Sequence, residues 1–399
     1  MKTKEMSFRQ LVTLFTFTYF ISYVTRINFG AVISEMVSAT GMTKSVLSTA
    51  VTGSFITYGI GQIISGILGD KLDCKKLIGW GLAVTTLMNL LIPFCTASWQ
   101  MTALWCVNGA AQAFMWPPLV KIMTVLFDPE DYKKATVNVI WGSSYGTIAV
   151  YLVSPILIAL SGWKAVFIFC GLCGAVMLLI WCRSKFTVER PKLSGDTPKG
   201  SYRFLYSPLM IGLMIAIICM GALRDGITTW MPSYITETYH LSSVVSILTG
   251  VIMPVFSIFA IQASSTLYRK KFTNPVANAA VLFGAGAVSA LALTFLFNTS
   301  AATSVGFSAV LTACMHGVNL MLITMLPPYF KKYGNVSTAS GVLNACTYIG
   351  SAISTYGIAV LSDNFGWQVT LLTWLGIAIL GTALCLICIR PWHKTHHAQ

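Results

Sequence analysis

Two arginines lie deep within long apolar stretches of the sequence. Arg26 is far along the first stretch and Arg224 is far along the seventh. A charged side chain at the centre of a bilayer costs about 2.5–3.5 kcal/mol on insertion scales, so one that persists usually faces a cavity and has a task. A guanidinium is always ionised, and its planar fork binds phosphate or carboxylate bidentately. The two arginines therefore predict a binding site for an anion.

The alternative is that both arginines are structural and pair with carboxylates or helix ends. Acidic residues are scarce at this depth, where Asp225 is the single candidate. Adjacent residues point about 100° apart on a helix, so we expect the Asp225 side chain to point away from Arg224. One carboxylate cannot neutralise two guanidinium groups, which favours an anionic substrate as their partner.

Aromatic and amide side chains recur near the arginines or at corresponding depth. Tyr19 and Tyr23 lie seven and three residues before Arg26, so all three share one face of a helix. A tyrosine stripe also occurs in ordinary packing, but one that leads to a deep arginine favours the wall of a polar pocket. Two later stretches carry similar sets of candidate site residues, namely Asn138, Trp141 and Tyr145 in one and Asn344 and Tyr348 in the other.

Other polar residues within the apolar stretches predict structure rather than chemistry. Gln112, His316 and Asn319 stand alone at membrane depth, where the simplest expectation is a hydrogen bond between helices. The 11 cysteines include two C-x-x-C pairs in apolar segments, but these lack a second pair of ligands. No nucleophile with a base, metal cluster or nucleotide loop is recognisable, so we expect no enzyme, no metal and no cofactor.

The elements that carry these residues are predicted to be membrane helices. Of the 399 residues, 55% are hydrophobic and 10% are charged, against about 25% charged residues in a soluble domain. A helical crossing needs about 20 consecutive apolar residues. The apolar windows predict twelve such helices, near residues 10–35, 46–68, 76–96, 100–127, 135–160, 164–183, 205–235, 242–267, 273–296, 300–328, 335–361 and 367–389.

The polar segment between the sixth and seventh windows predicts a boundary between two halves. Residues 1–183 form the first six-helix half, 184–204 a cytoplasmic linker with Pro and Gly, and 205–399 the second half with a short tail. The formal charge of +14 comes from basic clusters in short loops, which the positive-inside rule assigns to the cytoplasm. Both termini and the linker are therefore expected there, and the charge does not predict a nucleic-acid partner.

Internal repetition indicates that the halves are related. Arg26 and Arg224 lie 198 residues apart, and pseudo-symmetry between the halves would place them facing each other across a central cavity. Short sequences recur at a similar separation in corresponding helices: Met115–Lys121 resembles Met325–Lys331, and the pair Gly162–Trp163 recurs as Gly366–Trp367.

The segment between the second and third windows resembles the loop signature of the major facilitator superfamily. It begins Gly66-Ile-Leu-Gly-Asp70-Lys71 and ends with Lys75-Lys76. The resemblance implies that Asp70 is held near a neighbouring helix end while the lysines face the cytoplasm. The segment is then a gate element in a fold of two pseudo-symmetric six-helix bundles.

Within that superfamily the chain is similar to the organophosphate:phosphate antiporter family, which includes glycerol-3-phosphate and hexose-phosphate carriers. The resemblance runs through all the helices and implies that the two arginines grip a phosphoryl group while the matched tyrosines line the path. The matching residues are Tyr19, Tyr23, Arg26, Asn28 and Phe29 in the first helix, Tyr58 and Gly59 in the second, Trp116, Pro117 and Pro118 in the fourth, and Arg224 and Trp230 in the seventh.

Several positions depart from that family's pattern. Ile27 stands where a lysine is usual and Thr229 where an acid is usual, so both partners of one ion pair are missing together. Tyr145 replaces a histidine of the glycerol-3-phosphate carrier, Gln62 a lysine and Gly221 a tyrosine. The pair Arg26 and Arg224 is retained while the residues around it differ. This favours recognition of a phosphate group and leaves the identity of the organic part of the substrate undetermined.

We therefore expect a secondary transporter that exchanges a phosphorylated metabolite for inorganic phosphate by alternating access. Two alternatives stay open. One is a proton- or sodium-coupled symporter of an organic carboxylate, with Asp225 as the titratable group. The other is a transporter-like membrane sensor of a phosphorylated sugar. The expected setting is the bacterial cytoplasmic membrane, where the chain is a multi-pass monomer embedded in the lipid bilayer.

Overall fold

The computed structural model describes residues 6–42, 44–187, 202–240, 243–270, 274–333 and 335–396. Helices make up nearly all of these residues, and no β-strand occurs among them. The predicted all-α class is confirmed. Most of the predicted linker, residues 188–201, lies outside the described residues.

Contacts divide the chain into two compact units. The first comprises Met1–Pro198 and Phe330–Val342, and the second comprises Lys199–Tyr329 and Leu343–Gln399. Among its described residues, the first unit contains the start of α12 (Val336–His396) and seven complete helices: α1 Phe8–Thr40, α2 Lys44–Lys71, α3 Cys74–Leu91, α4 Ser98–Gln112, α5 Trp116–Leu126, α6 Pro129–Ser161 and α7 Trp163–Arg183.

The described residues of the second unit form four further helices and most of a fifth, α12. Within α12 the backbone is non-helical at Gly366, with φ 77° and ψ 175°, so two helices meet there. Eight segments of the described residues are long and apolar enough to cross a membrane. The helices of this part of the chain are α8 Pro208–Tyr239, α9 Ser243–Lys270, α10 Pro275–Phe295, α11 Ala301–Asn319 and α12 Val336–His396.

Two of the predicted helices are interrupted. The window at 100–127 forms α4 and α5, and Pro117 and Pro118 open α5, because proline lacks an N–H and is tolerated in a first helical turn. In the window at 300–328, α11 continues as a π-helix, Leu320–Met325, before a 3-10 turn that begins at Pro327. The repeated Pro-Pro pair therefore marks a break in each half.

A buried polar network holds α1 against α3 and α4. The Gln112 side-chain oxygen accepts from the Ser22 hydroxyl at 2.8 Å, and its amide nitrogen donates to Thr25 at 2.9 Å and to Thr85 at 2.8 Å. The expected interhelical role of Gln112 is confirmed. Since Thr25 precedes Arg26, the network fixes the register of the helix that carries this arginine.

Glycines allow close packing against the two helices that carry the arginines, α1 and α8. In the first unit, a Cβ on Gly146 of α6 would lie 2.7 Å from the Phe20 carbonyl of α1. In the second unit, a Cβ on Gly221 of α8 would collide with the Thr347 carbonyl, and one on Gly350 with the Ile218 carbonyl. Small residues allow such backbone approach. The tyrosine-to-glycine departure at position 221 therefore lets α8 lie directly against α12.

Candidate functional site

Arg26 lies among aromatic rings in the first unit. Its guanidinium carbon is 4.1 Å from the ring centroid of Tyr23 and 4.8 Å from that of Tyr58. Tyr58 comes from α2 and is 3% exposed, so its ring position is fixed by packing. A cation over an aromatic face gains about 0.5–2 kcal/mol. The two aromatic faces therefore stabilise the positive charge of Arg26.

Tyr19 extends this aromatic cluster towards the break between α4 and α5. Its ring centroid is 5.2 Å from that of Tyr23 and 4.9 Å from that of Trp116, the first residue of α5. The Pro-Pro pair that opens α5 therefore helps to set the position of Trp116. The structure brings together Tyr19, Tyr23, Tyr58 and Arg26, as the sequence led us to expect.

Three candidate residues lie on α6 in the first unit, namely Asn138, Trp141 and Tyr145. Tyr145 is 47% exposed, and the indole N–H of Trp141 is buried with no hydrogen-bond partner in the described part of the chain. Their helix is held against α1 through Gly142 and Gly146. All three residues therefore belong to a helix that packs on the helix of Arg26.

Arg224 has a different environment in the second unit, where it pairs with its own neighbour. Its Nε donates to Asp225 Oδ1 at 2.6 Å and its Nη2 donates to Asp225 Oδ2 at 2.9 Å. The expectation that Asp225 points away was wrong, because the long arginine side chain reaches around the helix although the two Cβ atoms diverge. The third donor, Nη1, binds Asn319 Oδ1 of α11 at 3.1 Å, which confirms the interhelical role expected for Asn319.

The Asp225 carboxylate is also held from α12. The Ser351 hydroxyl donates to Asp225 Oδ2 and lies 2.9 Å from the Thr347 carbonyl. Ser351 follows Asn344 by seven residues and Tyr348 by three, so these side chains share one helix face. Sequence reasoning missed Ser351, although its spacing from Asn344 and Tyr348 matches that of Arg26 from Tyr19 and Tyr23.

The second unit therefore holds a guanidinium whose bidentate edge is already bound to an oxyanion. Arg224 is only 15% exposed, and its carboxylate partner is 32% exposed. Charge-assisted bidentate pairs of this kind are the geometry by which arginine binds phosphate and carboxylate ligands. Aromatic faces therefore surround Arg26 in the first unit, and polar side chains surround Arg224 in the second.

The family pattern of the Major Facilitator Superfamily matches residues 15–355. The chain belongs to the Major Facilitator Superfamily.

Curated relatives confirm the narrower resemblance to the organophosphate:phosphate antiporter family. Membrane sensor protein UhpC of Salmonella typhimurium is 22% identical over 377 residues, which cover 88% of this chain and 84% of that protein. A probable hexose phosphate transport protein of Chlamydia muridarum is 21% identical, with 96% and 90% covered. The glycerol-3-phosphate transporter of Bacillus subtilis is 23% identical, with 94% and 90% covered.

A solved transporter structure confirms the major facilitator fold. The fucose:proton symporter FucP of E. coli aligns with a TM-score of 0.77 at 15% identity, over 97% of this chain and 99% of that one. At this identity the match shows the fold alone. The predicted arrangement of helices in two six-helix bundles is therefore that of a Major Facilitator Superfamily protein.

The signature loop of the superfamily is tied to the start of α12 within the first unit. Asp70 Oδ1 accepts from the Ser337 N–H at 3.0 Å and Oδ2 from the Thr338 N–H at 2.7 Å. The Lys121 ammonium lies 3.4 Å from Oδ1. A carboxylate at a helix N-terminus is stabilised by the free N–H groups and the helix dipole. A Cβ on Gly66 would lie 2.7 Å from the Ser337 carbonyl, so this approach requires glycine.

The lysines of the same loop do not behave alike. Lys71 and Lys76 are exposed. The Lys75 ammonium instead donates to the carbonyls of Ser184 at 2.6 Å and Phe186 at 3.3 Å. These carbonyls follow the last turn of α7, where a cation interacts favourably with the helix end. Lys75 therefore ties the signature loop to α7.

Proposed function

We propose that this Major Facilitator protein is a secondary transporter that exchanges a phosphorylated metabolite for inorganic phosphate. The observation that carries the proposal is the bidentate pairing of Arg224 with a carboxylate at 2.6 and 2.9 Å. The contact shows that this guanidinium is oriented for bidentate binding of an oxyanion, which is also the chemistry that a phosphoryl group offers. Arg26, surrounded by tyrosines, supplies the second cation.

The assigned roles follow the chemistry of each side chain. Arg26 and Arg224 each bind phosphoryl oxygens of the substrate. The aromatic set lines the path and contacts the rest of the substrate, where π-faces accept either a sugar or a smaller organic group. This set comprises Tyr19, Tyr23, Tyr58, Trp141, Tyr145 and Tyr348, with Asn344 as a hydrogen-bonding member.

Exchange follows from the charge of the site. Arg26, Arg224 and Asp225 together carry a net charge of +1, which a singly charged phosphate anion neutralises. An empty carrier would have to move this uncompensated charge through the closed intermediate of alternating access, where a low dielectric makes it costly. A loaded carrier avoids that cost, so the conformational change of alternating access occurs readily only with an anion bound.

Asp70 and the signature loop act as the gate on the cytoplasmic side.

The names of the relatives support the substrate class. Two are described as hexose phosphate and glycerol-3-phosphate transport proteins, and the match to each extends over nearly the whole chain. Their shared chemistry is a phosphate monoester on a small polyol or sugar. We propose the same class of substrate here, carried by a monomer whose termini lie in the cytoplasm.

The test is uptake by the purified protein in proteoliposomes preloaded with phosphate. External labelled phosphate is challenged with a panel of phosphate esters and carboxylates, and the control vesicles contain no internal anion. We expect rapid uptake only into phosphate-loaded vesicles, with competition by one or more phosphate esters. Competition by carboxylates alone would contradict the proposed substrate class.

A sensor role is the second candidate, because UhpC, described as a membrane sensor protein, matches 88% of this chain. A sensor needs to bind a phosphate ester and change conformation but does not need rapid turnover. Tight binding of a phosphate ester by the purified protein, together with negligible exchange in the same vesicles, would favour the sensor over the transporter.

A further inference from the structure

The edge of Arg224 that an incoming anion would use is occupied. A guanidinium binds an oxyanion bidentately through a pair of N–H groups on one edge. Asp225 takes the edge formed by Nε and Nη2, and Asn319 takes Nη1 at 3.1 Å. An anion that binds Arg224 through the Nε–Nη2 edge must therefore displace the Asp225 carboxylate, which has the same chemistry as the ligand.

The surroundings of Asp225 make such displacement inexpensive. The Ser351 hydroxyl has a single proton but lies within hydrogen-bonding distance of two acceptors, Asp225 Oδ2 and the Thr347 carbonyl. When Asp225 moves, the hydroxyl can donate to Thr347 and no buried donor is left unsatisfied. The Asp225 side chain is also 32% exposed, so water can solvate the displaced carboxylate.

Resting on the proposed function, we propose that Asp225 is an internal counter-ion that competes with the substrate anion for Arg224. It holds the guanidinium when the site is empty and yields it when phosphate or a phosphate ester binds. Asp225 is thus a positioning residue, since it acts through Arg224. Its competition weakens anion binding, and a carrier gains turnover from weak binding because the ligand must leave on the opposite side.

The first variant is Asp225→Asn in the full-length purified protein. A neutral amide cannot match a carboxylate in pairing with guanidinium, so the incoming anion meets less competition. Binding of inorganic phosphate and of glycerol 3-phosphate is measured by titration calorimetry. We expect both to bind at least about tenfold more tightly than to the wild type, which corresponds to about 1.4 kcal/mol.

A second variant and a matched control complete the design. Ser351→Ala removes the hydroxyl that holds Asp225 Oδ2, so we expect a smaller tightening in the same direction, about two- to threefold. Glu237→Gln makes the same change of charge on the same helix. Glu237 accepts a hydrogen bond from the Trp367 indole at 2.7 Å, far along α8 from Arg224, and we expect unchanged affinity.

The outcomes separate this inference from the proposed function. If Asp225 is merely structural, Asp225→Asn binds anions as the wild type does or more weakly, which overturns the counter-ion role and leaves the transporter proposal intact. If neither wild type nor variants bind either probe, both proposals are wrong. Should Asp225→Asn fail to fold, Ser351→Ala decides: tightening supports the inference and weaker or unchanged binding rejects it.

Discussion

Replacing Arg224 by lysine keeps the charge and removes the fork. In the structure, three guanidinium nitrogens donate to three separate acceptor atoms on Asp225 and Asn319. A lysine ammonium is a single point and cannot reproduce a planar bidentate contact with an anion. Losing one charge-assisted hydrogen bond costs about 1.5–3 kcal/mol. At about 1.4 kcal/mol per tenfold, the affinity for phosphate should fall roughly 10- to 150-fold.

Arg26→Lys should act in the same direction. Lysine keeps its charge near the rings of Tyr23 and Tyr58, but it lacks the planar guanidinium, whose carbon lies 4.1 Å from the centroid of the first ring. Its effect is expected at the lower end of the same range. If only the half-saturation concentration increases, the variant has lost substrate binding. If the maximal rate falls as well, the arginine also contributes to the conformational change that carries the substrate across the membrane.

The assay is phosphate counterflow in proteoliposomes, with initial rates measured over a wide range of external phosphate. Arg183→Lys and Arg269→Lys are matched controls, because both arginines are exposed near helix ends, and we expect their kinetics to be unchanged. Normal half-saturation in both Arg26→Lys and Arg224→Lys would refute the reasoning and make the arginines structural.

Three further predictions concern the gate, the topology and the coupling. Asp70→Ala removes the cap of α12, worth about 0.5–2 kcal/mol, so the maximal exchange rate should fall while the half-saturation concentration stays within about twofold. A change in affinity alone would argue against a gate. Cysteines introduced near Ser98 and Thr299 should react with an impermeant reagent from outside and one near Lys133 should not, and the reverse pattern would invert the topology. A pH gradient should not drive accumulation into vesicles that lack a counter-anion, whereas internal phosphate should support fast uptake. Gradient-driven accumulation that Asp225→Asn abolishes would replace the antiporter by the symporter.

Most of the fold could be predicted because a bilayer imposes one rule on every crossing. Backbone polar groups must be satisfied within the element, so long apolar windows become helices. The windows missed the interruptions before Pro117 and Pro327, although the signal was present in the Pro-Pro pairs. Hydropathy averages over a window and does not register a backbone break, whereas the missing N–H of proline acts at a single residue.

Part of the aromatic cluster around Arg26 could also be predicted from the sequence. Tyr19, Tyr23 and Arg26 share a helix face by spacing alone, and this is a local property of one element. The contact with Tyr58 depended on resemblance to a known family, because no rule of spacing connects residues on two different helices. Packing of α1 with α2 supplies that contact.

Sequence by itself determined three features of this protein. Apolar composition indicates the membrane class, repeated segments indicate the duplicated halves, and charge within apolar windows identifies the two deep arginines. Only the tertiary structure decided what Arg224 binds. Helical periodicity directs Asp225 away from Arg224, yet the observed pair forms because side chains have freedom beyond Cβ and because α12 brings Ser351 to the carboxylate. That approach depends on Gly221 and Gly350, whose importance appears only when two helices are seen in contact. The physical reason is that periodicity specifies the direction of a Cβ, whereas hydrogen-bond partners are chosen by rotamers and by neighbours far away in sequence.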